Sequence, residues 1–275
     1  MDEGACIQTP ESEARKVFGQ RAARYTTSPA HADPQILARV VALAVPQPDW
    51  VVLDIATGTG HTALALAPHV RAVIGIDLTP EMLGESARLQ AARGVSNVTY
   101  GLADVHHLPF PAETFHLVTC RRAAHHFSHL RRAVSEMHRV LRVGGRLVID
   151  DRSVPEDDFV DACMNRLDRL HDASHVREYR PSEWRHALEG GGFTVETVEC
   201  YTRHRPLTAL TADVSPENVR GIQAVLDRLT PAQREAMSLR EVEGELRLTH
   251  WYVLVGCAKR SADRGQAGGG SWQDE

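Results

Sequence analysis

The chain has 275 residues, of which 43% are hydrophobic and 24% are charged, as in an ordinary globular protein. Its formal net charge is −5, so no domain-wide basic surface is expected to recruit nucleic acid. The apolar runs are far shorter than the ~20 residues of a membrane helix, Met1–Pro10 does not resemble a signal peptide, and the 5 scattered cysteines indicate buried thiols in a reducing compartment. We therefore expect a cytoplasmic protein that binds neither nucleic acid nor a membrane.

The first predicted element is an amphipathic helix over 12–25, which carries Phe18, Ala22 and Tyr25 at helical spacing among arginines. From Trp50 onward, short β-branched runs alternate with helical patterns. Near-continuous apolar strands of this kind are typical of a sheet that helices cover on both faces. The strands are predicted at 50–55, 72–77, 98–104, 115–120 and 145–150. This alternation predicts a parallel α/β sheet with right-handed crossovers.

Beyond residue 151 the pattern changes. Residues 152–179 are polar with helical apolar spacing and follow the carboxyl end of a strand, so they are a candidate lid. A helix that ends at Gly190–Gly192, a strand at 193–201, a helical insertion around 222–229 and a strand at 248–258 follow. The predicted organisation is a helical cover (1–35), one α/β domain (36–260) with lid or insert segments at 152–179 and 205–245, and a disordered tail (261–275).

A glycine-rich loop follows the first predicted strand. In VVLDIATGTGHTALALA, Gly58-x-Gly60-x-x-Ala63 joins a strand to a helix, and Asp77 ends the next strand. Taken alone, this spacing also matches a dinucleotide-binding loop, or simply a tight turn. Asp54 argues against a dinucleotide, because a carboxylate there would repel two phosphates. The same carboxylate would attract a ligand with an ammonium and a sulfonium, such as S-adenosylmethionine.

Five segments carry a family resemblance: LDIATGTGHTALALA, VIGIDLTPEML, GLADVHHLPFPAETFHLVTC, RRAAHHF and EMHRVLRVGGRLVIDD. In order and spacing they resemble the class I S-adenosylmethionine-dependent methyltransferases, near the ubiquinone/menaquinone-biosynthesis C-methyltransferases and their small bacterial relatives. The resemblance covers Phe18 to Lys259. It implies a Rossmann-like, mostly parallel sheet of seven strands, whose last strand is antiparallel and which carries a helical lid.

The resemblance also implies a cofactor site for S-adenosylmethionine. Asp77 would bind the ribose hydroxyls, Leu78 and Met82 would flank the adenine, and Asp104 with the Val105 amide would hold its edge. The other implied cofactor positions are Tyr25, Asp54, Ala56, Thr57, Gly58, Gly60, Ala103 and Arg121. From the residues alone, Met82 is equally suited to the core, Asp104 to a turn cap, and Tyr25 to packing at the end of its helix. Three positions depart from the family pattern: Ala56 replaces the commonest first glycine, His116 an aspartate and Val143 a proline.

Histidines are the candidate catalytic residues. A methyl transfer needs alignment and, where the nucleophile must lose a proton, a base. His125 and His126 follow the fourth strand and are predicted as that base, although either residue is also suited to capping the next turn. His171 and His175 are predicted on one helix face of the lid, lining the substrate. No metal site is predicted, because no third ligand is evident. His106 and His107 are expected at the surface.

These observations predict an enzyme that methylates a small-molecule acceptor, as a monomer or homodimer. The expected chemistry is O- or C-methylation of a quinone-like, phenolic or natural-product substrate, and the sequence leaves the accepting atom open. One alternative is an NAD(P)-dependent oxidoreductase with the same glycine loop, which Asp54 and the lack of an S-x-x-x-Y-x-x-x-K set disfavour. The other is a protein that binds S-adenosylmethionine without turnover. The acidic charge and the lack of an N/D-P-P-Y motif disfavour a nucleic-acid substrate.

Overall fold

A computed structural model describes residues 9–260, and an eight-stranded sheet forms the centre of this part of the chain. The predicted tail at 261–275 and the first eight residues of the predicted cover lie outside the described residues. The strands are β1 (Val51–Ile55), β2 (Ala72–Asp77), β3 (Val98–Leu102), β4 (Phe115–Arg121), β5 (Leu141–Ser153), β6 (Phe193–Pro206), β7 (Arg240–Val242) and β8 (Glu245–Lys259).

The strand order is β3-β2-β1-β4-β5-β8-β6, and the short β7 pairs with β8 off this path. Strands β1 to β5 are parallel, whereas β8 runs antiparallel between β5 and β6. The mostly parallel sheet with a reversed last strand is therefore confirmed. Because parallel strands end at a common edge, the carboxyl ends of β1, β2 and β4 come together there, where open α/β sheets bind ligands.

The helices are α1 (Pro10–Thr26), α2 (Pro34–Ala44), α3 (His61–Leu66), α4 (Pro80–Arg93), α5 (Leu130–Val140), α6 (Asp158–His171), α7 (Pro181–Gly190), α8 (Leu207–Thr211), α9 (Pro216–Asp227) and α10 (Pro231–Ala236). Local chemistry fixes several of their starts. Thr9 and Ser12 form a capping box before α1, and the Asp33 side chain caps α2 ahead of Pro34. The predicted helix at 12–25 is confirmed as α1. In this part of the chain, no helix has both the length and the apolarity to cross a membrane.

Two apolar layers cover the sheet. One contains Met137 of α5 and Trp184 of α7, and the other contains Val40 of α2 and Leu64 of α3. The apolar strands therefore bury side chains on both faces, as their near-continuous hydrophobic sequence predicts.

A third apolar cluster lies in the cap, by which we mean α6, α8, α9, α10 and β7. Its buried residues include Val160, Met164, Leu167, Leu210, Ile222 and Leu226. The predicted lid 152–179 thus contributes α6 to a packed unit with its own core.

Buried charges join this cap to β5. Arg152 Nη2 lies 2.7 Å from Asp168 Oδ2, and its Nε lies 2.5 Å from Glu178 Oε1. Burial raises the pKa of Glu178 well above its usual range. Burial would also raise the pKa of Asp168, but the charge of Arg152 and the hydrogen bond with Glu178, together with nearby histidines, outweigh it and lower that pKa. Since breaking a buried ion pair is strongly destabilising, the Arg152–Asp168 pair holds α6 against β5.

Candidate functional site

A cavity lies at the carboxyl edge of the sheet, between the ends of β1, β2 and β4 and the covering helix α1. It encloses about 1010 Å³ of empty space, part of which is open solvent. All the implied cofactor positions except Gly60 line it, namely Tyr25, Asp54, Ala56, Thr57, Gly58, Asp77, Leu78, Met82, Ala103, Asp104, Val105 and Arg121. The structure therefore gathers around one cavity residues that come from several separate sequence segments.

The turn between β1 and α3 requires left-handed backbone. Gly58 and Gly60 have φ of 54° and 84°, and the non-glycine Ala56 has φ of 50°. A Cβ on Gly60 would lie 2.5 Å from the Tyr100 hydroxyl, so Gly60 serves close packing instead of the cavity wall. At Gly58, no atom of residues 9–260 other than those of Gly58 and its two chain neighbours lies within 4 Å of the Cβ position. Gly58 thus leaves a cradle that a side chain would fill.

Two buried carboxylates flank this turn. Asp77 accepts hydrogen bonds from the Gly58 and Thr79 amides, both at 2.9 Å. Asp54 accepts from the hydroxyls of Thr57 and Thr119, both at 2.6 Å. Burial raises the pKa of both carboxyls, and these hydrogen bonds oppose that shift. The contacts fix each carboxylate at the cavity wall.

Arg121 offers an unused donor beside the same cavity. Its Nε donates to Thr62 Oγ1 at 2.9 Å and its Nη2 to the His31 carbonyl at 2.6 Å. Its Nη1 is buried without a hydrogen-bond partner among residues 9–260, and burial lowers the pKa of this guanidinium. Buried donors are normally satisfied, and guanidinium groups pair well with carboxylates. Arg121 therefore suits a ligand carboxylate.

At the far end of the wall, His106 holds Asp104. The His106 amide lies 2.9 Å from Asp104 Oδ1, and its Nδ1 lies 2.7 Å from the same oxygen. His106 is only 5% exposed, so the prediction that it lies at the surface is wrong, whereas His107 is exposed. The turn after β3 folds back on Asp104 and buries the imidazole.

The residues of this wall fit the implied cofactor. The cradle at Gly58 leaves room for a ligand, Asp77 and Asp104 supply carboxylate acceptors, and Arg121 supplies an unpartnered donor. Leu78 and Met82 add apolar surface to the same cavity. The set suits a ligand that combines a carboxylate, a ribose and a flat base.

The opposite wall begins with α1. Glu11, Ala14, Phe18 and Tyr25 lie three, four and seven residues apart and line the cavity from one helix face. The sequence pattern predicts the helix, but of these four residues only Tyr25 was expected at the site. The spacing itself was the available signal for the other three.

His126 and His125 differ in their surroundings. His126 lines the cavity, its ring meets that of Phe18 edge-on at 4.9 Å, and its Nδ1 lies 3.1 Å from the Ser174 carbonyl oxygen. Burial, and then the charge of His125, lower the pKa of His126 to about 4. His125 is not part of the cavity wall, and its Nδ1 lies 2.5 Å from Asp151 Oδ1. The geometry therefore favours His126 as the residue that reaches a ligand.

His171 and His175 do not share a helix face. Helix α6 ends at His171, because Asp172 adopts an extended conformation with φ of −137° and its carboxylate accepts from the Ser174 amide. His171 Nδ1 lies 2.7 Å from the Leu210 carbonyl oxygen, and His175 Nε2 lies 3.1 Å from Asn165 Oδ1. Neither histidine lines the cavity, so their role in substrate binding stays a prediction.

Comparisons with known proteins point in one direction. A family model described as a methyltransferase domain matches residues 53–149. The uncharacterized methyltransferase YcgJ of Bacillus subtilis is 42% identical over 182 residues, which are 66% of this chain and 72% of that protein. The crystal structure of YcgJ superposes with a TM-score of 0.77 at 31% identity, covering 82% of this chain and 98% of that one. The demethylmenaquinone methyltransferase of Thermus thermophilus is 41% identical over 114 residues, 40% of this chain and 51% of that protein.

Proposed function

Because the chain belongs to the methyltransferase family, we propose that it transfers a methyl group from S-adenosylmethionine to a small-molecule acceptor. The acceptor class we propose is quinone-like, phenolic or natural-product, methylated at oxygen or carbon. The observation that carries the proposal is a single cavity that joins the acidic, glycine-cradled wall to the wall containing His126. The relative named as a demethylmenaquinone methyltransferase supports the quinone-like part of this range.

When bound, S-adenosylmethionine supplies a methyl group on a sulfonium, a carbon already activated for displacement. On the cofactor wall, Asp77 accepts from the ribose hydroxyls and Arg121 Nη1 donates to the methionine carboxylate. Asp54 provides negative charge toward the ammonium and the sulfonium. Asp104 and the Val105 amide hold the edge of the adenine, which Leu78 and Met82 flank.

On the acceptor wall, Phe18, Ala123 and Phe127 offer apolar surface to a flat, largely uncharged molecule. Burial lowers the pKa of His126 and keeps its imidazole neutral at pH 7. Its unprotonated ring nitrogen then accepts the proton of an acceptor hydroxyl or acidic C–H as the methyl group is transferred. Arg122 also lines the cavity, but Asp150 and Tyr201 already hold its guanidinium, at 3.1 and 3.0 Å. A neutral acceptor therefore suits this wall better than an anion.

Calorimetry tests the cofactor assignment. We expect saturable binding of S-adenosylmethionine and S-adenosylhomocysteine and none of NAD, because the buried Asp54 repels a pyrophosphate. Asp77→Ala should weaken cofactor binding by ~1–3 kcal/mol, the range for hydrogen bonds to charged groups. The matched control is Asp227→Asn on α9, outside the cavity wall. Saturable NAD binding with no response to S-adenosylmethionine would contradict the proposal and favour the oxidoreductase alternative.

The acceptor is found by incubating the protein with metabolite extracts and cofactor labelled in its methyl group. Label in a small apolar molecule is the expected result. A protein that binds the cofactor tightly and transfers no label would be the non-catalytic alternative.

A further inference from the structure

We propose that Asp172 and Ser174 are positioning residues that keep the His126 proton on Nδ1, so that Nε2 presents its lone pair to the cavity. The proposal rests on the proposed function for its kinetic consequence alone. The tautomer itself is a property of this chain.

The hydrogen-bond directions around Ser174 determine the tautomer. Ser174 Oγ lies 2.6 Å from Asp172 Oδ1, and a carboxylate oxygen accepts, so the hydroxyl proton is committed to Asp172. His126 Nδ1 lies 3.0 Å from the same Oγ and 3.1 Å from the Ser174 carbonyl oxygen. Facing two acceptors, Nδ1 must be the donor. In a neutral imidazole, Nε2 is then the acceptor.

Asp172 decides this arrangement because Ser174 can act in either direction. A hydroxyl without its carboxylate partner is free to donate to Nδ1 and stabilise the opposite tautomer, with the proton on Nε2. Ser174 is 1% exposed and Asp172 9%, so water competes little for these bonds. Asp172 Oδ1 also accepts from the Ser174 amide at 2.9 Å, which fixes the turn that brings Ser174 to His126.

The cover helix holds the other side of Asp172. Arg21 Nη1 of α1 lies 3.5 Å from Asp172 Oδ2, so Oδ1 faces Ser174. Phe18, on the same helix, packs edge-on against the His126 ring. The positioning set therefore spans the cover, the turn after β4 and the loop after α6.

The test is a nitrogen-15 NMR measurement of His126 in the full chain with S-adenosylhomocysteine bound. We expect a protonated Nδ1 and an unprotonated Nε2 in the wild type. Asp172→Ala frees the Ser174 hydroxyl, so a population protonated on Nε2 should appear. Asp172→Asn keeps an oxygen acceptor and should retain the wild-type tautomer. The double variant Asp172→Ala/Ser174→Ala has no hydroxyl to donate and should restore it, since the Ser174 carbonyl remains.

Asp213→Asn is the matched control. Like Asp172, Asp213 forms an ion pair with an arginine of α1, in this case Arg24. It removes an exposed ion pair of α1 and leaves Ser174 and Asp172 unchanged, so the wild-type tautomer should persist. In single-turnover assays, Asp172→Ala should lower the transfer rate by about tenfold or more, with recovery in the double variant and unchanged cofactor affinity.

Three results would overturn the proposal: an Nε2-protonated wild type, an Asp172→Ala variant with the wild-type tautomer, or a double variant that stays as perturbed as the single one. The last of these is what a purely structural role predicts. The wild-type spectrum decides the first point even where a variant fails to fold. Should the tautomer pattern hold while no acceptor is methylated, the proposed function fails and the positioning role stands.

Discussion

The two walls of the cavity differ in how far apart in the sequence their bonded residues lie. On the cofactor wall, the Asp54–Thr57 bond joins residues 3 positions apart and the Gly58–Asp77 bond joins residues 19 apart. Behind the acceptor wall, the bonded residues His126 and Ser174 are 48 positions apart, and Arg21 and Asp172 are 151 apart. The glycine turn of the cofactor wall is thus specified largely by nearby residues, although Asp54 also bonds Thr119, 65 positions away, and Arg121 bonds His31, 90 positions away. The surroundings of His126 depend on how α1, the turn after β4 and the loop after α6 pack together.

The largest effect expected from this difference is kinetic. His126→Ala should lower methyl transfer by ~100- to 10,000-fold, the usual contribution of a general base, while cofactor affinity stays constant. His125→Ala is the matched variant, since His125 lies outside the cavity wall and its partner is the buried Asp151. It should lose thermal stability, because it leaves a buried charge unpaired, yet keep turnover per folded molecule. Equal losses of turnover in the two variants would contradict the separation of their roles.

The buried His175, in the loop after α6, should make the stability of the fold depend on pH. Burial is the main cause that lowers the pKa of His175 to about 3, with Asp168 opposing the shift and His125, His126 and Arg152 adding to it. The unfolded chain takes up this proton near pH 6.5 and the folded chain resists it, so stability falls as the pH drops below 6.5. Between pH 7 and 5, His175→Gln should lose about 2 kcal/mol less stability than the wild type. Denaturant unfolding at each pH measures this slope, and identical slopes would place His175 in contact with solvent.

The smallest effect belongs to the cofactor wall. Ala56 adopts φ of 50°, a conformation that costs an L-residue ~1–2 kcal/mol and that glycine adopts freely. Ala56→Gly removes this strain, but glycine loses more conformational entropy on folding than alanine does. The net effect should be a stabilisation of up to about 1 kcal/mol. Thermal unfolding and calorimetry should show a slightly raised Tm and an unchanged affinity for S-adenosylhomocysteine. A lower Tm would mean that the Ala56 methyl group contributes packing that outweighs its backbone strain.

Much of the cofactor wall and of the sheet follows from the sequence. Apolar strand runs and the Gly58-x-Gly60 spacing depend on neighbouring residues, so they predict both the strands and the turn. The family resemblance added the reversed β8, which periodicity alone does not reveal. Even so, the sequence grouped Gly60 with the residues of the cavity wall. In the structure, the missing side chain of Gly60 leaves room for the Tyr100 hydroxyl.

The acceptor wall could not be predicted to the same degree. Adjacent histidines have equal local propensities, and only the pairing of His125 with Asp151 of β5 leaves His126 at the cavity. The prediction that His171 and His175 share a helix face was wrong for a related reason. Helix α6 ends before Asp172, and the turn that follows packs against His126.

The sequence by itself determined the fold class, the alternation of the parallel strands with helices, and the glycine turn after β1, because each of these depends on short-range periodicity and spacing. Only the tertiary structure decided which histidine lines the cavity, how α1 covers it, and that the buried pair of Arg152 and Asp168 anchors the cap. These features arise from contacts between segments far apart in the chain, whose energies depend on mutual burial and orientation and not on any residue's neighbours.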